Sequence, residues 1–115
     1  MGPMSHMSQK TATPSRRFNS RIAVTQDVWV CWQCNGRDDV SRVGDLSLGG
    51  LFLETASSRA IGSPTKVDFL VGEGQIRADA VVRHVVAGRG LGLKFTAVTE
   101  QDRRKFAALM RRVRG

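Results

Sequence analysis

Arg17 and Arg21 stand four residues apart in Arg17-Phe18-Asn19-Ser20-Arg21, an R-x-x-x-R pattern in a stretch with no acidic residue. Each guanidinium is a planar fork that can bind a phosphate, or the O6/N7 edge of guanine, in bidentate fashion, and its plane can stack on a purine. At this spacing the two face the same way on a helical turn, or bracket a ligand from an extended loop. Further on, Asp45-Leu46-Ser47-Leu48-Gly49-Gly50 forms D-x-S-x-x-G. Asp45 and Ser47 are two residues apart, so in an extended chain their side chains leave the same face. A carboxylate there accepts from the N–H groups of guanine's Watson–Crick edge, and a hydroxyl donates to a ring acceptor. Adenine offers Asp45 a different donor pattern, which gives a basis for selectivity. Gly49 and Gly50 carry no side chain, so the backbone can bulge or let a ligand approach closely. The combined inventory suits a guanine nucleotide with more than one phosphate. Read singly, the first motif also fits a solvated charge cluster, and the second a strand end with a glycine turn. Their joint occurrence and order carry the weight.

Other reactive residues are few. Cys31-Trp32-Gln33-Cys34 is a lone C-x-x-C, whereas a structural zinc site needs four ligands. It falls in an alternating, strand-like run, where residues three apart point to opposite faces, so two reduced strand cysteines are expected. No metal or cofactor is implied. His84 is the one candidate base outside the first seven residues, and no nucleophile arrangement surrounds it. A binding module is therefore expected rather than an enzyme.

Composition sets outer bounds. A length of 115 residues fits a single core, and 24% charged with 41% hydrophobic residues is ordinary for a globular chain. No apolar run is long enough to span a membrane, and none at the start resembles a signal peptide, so a cytoplasmic location is expected. Met1 to Met7 looks like an expression-tag remnant and is set aside, His6 included. With the polar, proline-containing stretch of residues 8–14 it forms a flexible leader, and residues 15–115 form the domain. The net charge of +8 lies wholly at the two ends: residues 22–98 carry eight basic and eight acidic residues. Basic ends can attract a polyanion, but the chain holds two tryptophans, five phenylalanines and no nucleic-acid module pattern. Sequence-specific nucleic-acid recognition is not expected.

The elements that must position the motifs are strands. Ile22, Val24, Val28, Val30, Trp32 and Cys34 share one face of a long first strand, interrupted at Gln26 and bent near Gln26-Asp27. Asn35-Gly36 predicts a tight hairpin into a second strand over 37–46. A short third strand covers 51–54, a fourth 66–71, a fifth 76–86 and a sixth 91–95, with glycine turns between most of them. Such a series favours a six-stranded antiparallel β-barrel. A C-terminal α-helix follows, with Thr99 as N-cap, Asp102 completing a shortened capping box, and Phe106, Leu109, Met110 and Val113 as an apolar stripe against the barrel.

With R-x-x-x-R just before the first strand and D-x-S-x-x-G at the second-to-third strand corner, residues 15 to 113 resemble the PilZ domain family. Gly90-Leu91-Gly92-Leu93-Lys94-Phe95 looks like that family's last barrel strand. The resemblance implies a bacterial receptor for cyclic di-GMP, in which Arg17 and Arg21 clamp phosphate and stack on guanine. It further implies that Asp45 and Ser47 read a base while Gly50 keeps the turn open. Arg16, just before the first motif, is similar to members that take two intercalated cyclic di-GMP molecules. Arg83 would add a stacking contact. The dianionic nucleotide would neutralise Arg16, Arg17 and Arg21, order residues 8–21 over the barrel, and change the surface shown to an effector protein. The alternative is a nucleotide-independent adaptor that acts through protein contacts alone.

Overall fold

Alternation from Ile22 onward places Val24, Val28, Val30, Trp32 and Cys34 inside, and all five are buried in the computed structural model, which describes residues 21–114. The run is not one bent strand, however. It is broken into β1 (Ile22–Ala23) and β2 (Trp29–Cys34), both pairing antiparallel with β3 (Arg37–Ser47). Arg42 fills the break. Its Nη2 donates to the carbonyls of Val24 at 2.9 Å and Gln26 at 3.0 Å, and its guanidinium also meets Asp27 and Glu54. The planar fork thus satisfies carbonyls that a continuous ladder would have used.

Asn35 and Gly36 both have positive φ, at 55° and 76°, as the expected hairpin turn requires. The remaining strands are β4 (Gly50–Glu54), β5 (Pro64–Leu70), β6 (Ile76–Val86) and β7 (Gly90–Val98). Their order is β3-β2-β5-β6-β7-β4, and β4 returns to pair with β3. The sheet is therefore a closed six-stranded antiparallel barrel with no free edge among these six. β1 adds a short seventh strand to β3.

The expected fifth strand has the observed bounds of β6, while its neighbours differ at their ends. β5 opens at Pro64, tolerated as the first strand residue because it need not donate to the ladder. β7 continues past Phe95 because Ala97 and Val98 still pair with Asp79 and Ala78.

Inward residues form one apolar core that includes Leu46, Leu51, Leu53, Leu91 and Leu93. The buried Trp32 finds a partner for its Nε1–H in Ser41 Oγ at 2.9 Å. Cys31 and Cys34 are free thiols on opposite faces of β2, Cys34 inside and Cys31 partly exposed.

The helix α1 (Glu100–Arg114) buries Phe106, Leu109, Met110 and Val113 against the barrel, with Phe106 edge-on to both Phe69 and Phe95. Thr99 caps it, accepting the Asp102 N–H at Oγ1. The reciprocal half of the capping box is replaced: the Asp102 carboxylate accepts the Arg77 N–H from β6 instead. At the far end Arg112 grips Glu73 through Nε at 2.6 Å and Nη2 at 3.1 Å, and donates to Gln26 Oε1 at 2.7 Å. Gln26, the polar interruption in the first apolar run, therefore ties the barrel to the helix.

The hydrogen bonds from Arg112 hold the Glu73 carboxyl below its ordinary pKa of 4.5. A lowered folded value gives stability that is present above about pH 4.5 and lost as pH falls through the lower value. Glu73→Gln is expected to unfold more easily at neutral pH, by on the order of 1 kcal/mol for a partly exposed pair. In thermal unfolding, the difference from the parent should close in acid.

Candidate functional site

Alternation alone would put Asp45 inside the barrel, because Val43 on the same strand is buried. It is turned out by a bulge. Val43 pairs with Leu53 of β4, but the next pair is Asp45 with Phe52, leaving Gly44 unmatched. The extra residue shifts the phase, so Leu46 enters the core and Asp45 faces outward. A side chain at Gly44 would crowd Glu54, whose Oε2 lies 3.0 Å from the position a Cβ would take.

A second bulge does the same on β6. Ile76, Ala78, Ala80 and Val82 point inward, and His84 would be next. Val82 pairs with Leu93 and His84 with Gly92, so Arg83 is the unmatched residue. Val85 takes the inward place against the core, and Arg83 and His84 are both exposed.

The two bulged strands flank β4 and β7, and their outward residues meet. Arg21, Ser47, Gly49, Arg83, His84 and Lys94 line a concavity of about 250 Å³ floored by Gly92 and Leu93. Asp45 joins it through Arg21, whose Nη1 donates to Oδ1 at 2.7 Å. Both side chains are substantially exposed, at 45% and 33%, so the pair orients Arg21 at little energetic cost and is readily exchanged. Among the described residues this is the one hydrogen bond either side chain makes, leaving further guanidinium donors and Oδ2 for other partners. The concavity holds three permanent cations, Arg21, Arg83 and Lys94, and suits an anion.

Of the eight residues expected from the sequence, Arg21, Asp45, Ser47, Gly49, Gly50 and Arg83 come together at this end of the barrel. Arg16 and Arg17 lie outside the described residues. Two of the six have structural tasks that the motif does not reveal. The Ser47 hydroxyl is buried in the turn, accepting the N–H groups of Gly49 at 3.2 Å and Gly50 at 3.1 Å and donating to the Gly50 carbonyl. At Gly50 a Cβ would collide with the Leu93 carbonyl oxygen of β7, so strand packing by itself requires the glycine. His84 and Lys94 also line this concavity and belong to neither motif. Their signal is indirect: only a bulge brings His84 outside, and Lys94 alternates with the buried Leu91 and Leu93.

Among the described residues, no cluster of three or more His, Cys, Asp or Glu could hold a metal, and no helix is long and apolar enough to cross a membrane.

A family profile described as the PilZ domain matches residues 15–112. No curated protein matches the chain. Among solved structures, the chain is similar to MrkH of K. pneumonia in its apo state, at 19% identity and a TM-score of 0.69, covering 82% of this chain and 49% of that one. The PilZ domain of YcgR from Escherichia coli, solved with c-di-GMP, gives 22% identity and a TM-score of 0.66 over 86% of this chain and 92% of that one. The PilZ domain of CeSA from a cellulose-synthesizing bacterium gives 18% and 0.62 over 78% and 93%. The chain thus spans about half the length of MrkH. At these identities the likeness is one of fold.

Gly50→Ala is expected to destabilise the barrel by about 2 kcal/mol or more, since a backbone oxygen on a paired strand must give way. Equilibrium denaturation without any ligand checks this. An unchanged midpoint would return Gly50 to a purely ligand-facing role.

Proposed function

The chain belongs to the PilZ domain family, and on that premise we propose that it is a cytoplasmic receptor for cyclic di-GMP that signals by changing a surface offered to an effector protein. The observation that carries this reading is the 2.7 Å contact between Arg21 and Asp45. The last residue of R-x-x-x-R and the first of D-x-S-x-x-G, far apart in sequence, meet at the rim of a cationic concavity. The solved complex of the YcgR PilZ domain with c-di-GMP supports the choice of ligand.

In this reading Arg21, with Arg16 and Arg17 beyond the described residues, meets the two phosphates. The guanidinium forks give charge-assisted, bidentate hydrogen bonds that lysine cannot copy. Asp45 exchanges its contact with Arg21 for the donor edge of a guanine, which an adenine does not reproduce. Ser47 acts chiefly by pinning the Ser47–Gly50 turn, so its loss would misplace Asp45 and Gly49. Arg83 supplies a further cation, or a stacking plane, from the opposite wall. Binding neutralises the repulsion among the arginines and draws residues 8–21 over the barrel, which alters what an effector meets. The Ser47 hydroxyl donates within its own turn, so binding rather than covalent chemistry is the role proposed.

Titration calorimetry with cyclic di-GMP, with cyclic di-AMP as control, tests the reading. Saturable, guanine-selective binding is expected, weakened by roughly tenfold to a hundredfold in Arg17→Ala, Arg21→Ala and Asp45→Ala. A ratio near two ligands per chain would support the role given to Arg16. Ligand should protect residues 8–21 from protease, and unchanged cleavage would remove the ordering mechanism. Absence of both heat and thermal stabilisation would leave a nucleotide-independent adaptor.

A further inference from the structure

Among the described residues lining the concavity His84 is the one aromatic ring, and it belongs to neither motif. Its position is built with some care. Without the bulge at Arg83 it would follow Ile76, Ala78, Ala80 and Val82 into the core. With the bulge, Val85 packs against the core and the imidazole turns out over β7. There it pairs with Gly92, and a Cβ at Gly92 would sit 2.7 Å from the ring's Cδ2 and 3.3 Å from Cγ. The glycine leaves room for the ring to fold down against the sheet.

Pairing across the barrel wall gives this ring a place relative to the motifs. Asp45 pairs with Phe52, Phe52 with Gly92, and Gly92 with His84. One outward row thus runs over four strands, from the carboxylate that holds Arg21 to the imidazole. Arg21 and His84 line the same concavity, with the glycine floor between them. A flat ligand entering it meets Arg21 from one side and the imidazole from the other, with Arg83 and Lys94 available to its phosphate.

We propose that His84 is a base-contacting residue of this site, the imidazole forming a platform on which a purine of the bound dinucleotide stacks. The proposal rests on the reading of the concavity as the nucleotide site and adds to it the residue that holds the base. Stacking is tolerant of base identity because every base has a π-face. His84 therefore sets affinity, while Asp45 sets the preference for guanine. A ring laid over a strand glycine also shields backbone by itself, and the test must separate these two roles.

Cyclic di-GMP is titrated into the parent, His84→Phe, His84→Leu and His84→Ala, and the unfolding midpoint of each is taken without ligand. Phenylalanine retains a π-face, whereas leucine covers Gly92 without one. Binding within about twofold of the parent for His84→Phe and about tenfold weaker for His84→Leu and His84→Ala is expected. The midpoints of His84→Phe and His84→Leu should stay with the parent. In NMR spectra, the ring-proton resonances that His84→Phe removes should move upfield as nucleotide is added to the parent. Parent-like binding by His84→Leu, or ring resonances that stay in place at saturation, would overturn the proposal while leaving the receptor intact. A parent that takes up no cyclic di-GMP overturns both.

Discussion

The whole arrangement depends on barrel closure through β4. A five-residue strand must pair with β3 on one side and β7 on the other, and at its first residue the wall is so tight that Gly50 lies against the Leu93 backbone. Closure removes the sheet edges, but it also makes the inside and outside of the wall unforgiving. Every residue on a closed strand points into an apolar core or out to solvent, and a shift of one residue exchanges the two. Polar groups close to the core in sequence therefore need a device to carry them outside.

That device is the bulge, used in this way at two of the three places where the strand ladders shift register. Gly44 carries Asp45 outward and leaves Leu46 to the core, and Arg83 carries His84 outward and leaves Val85 to it. Because β3, β4, β7 and β6 are successive neighbours, both displaced side chains appear on the same stretch of wall. Glycines at 50 and 92 make room there: one for the neighbouring backbone, the other for a ring. The concavity is a consequence of how the strands correct their register.

The helix is fastened through residues that do not line the concavity. Its apolar stripe covers the core near Phe69 and Phe95, its start is held by Arg77, and its end by Glu73 and Gln26. Arg42 performs a comparable service where the first run breaks. In both places one arginine joins segments that periodicity treats as unrelated. The ion pairs involved are mostly half-exposed, so they fix geometry more than they add stability.

Local chemistry in the sequence determined the element types, the hairpin at Asn35-Gly36, the inward face of β2, the helix with its buried stripe, and the residues suited to phosphate and guanine. These depend on side-chain period and on glycine conformational freedom, which act between near neighbours. The motifs and their order also pointed to the family, and the match over residues 15–112 agrees with it. Tertiary structure alone decided that the first run breaks at Gln26, because the group that fills the gap, Arg42, comes from another strand. It alone decided that Ser47 holds a turn, that Gly50 yields to Leu93, and that His84 leaves the core. Each of these is settled by a partner strand's register, and register is a relation between strands that no single stretch of sequence contains.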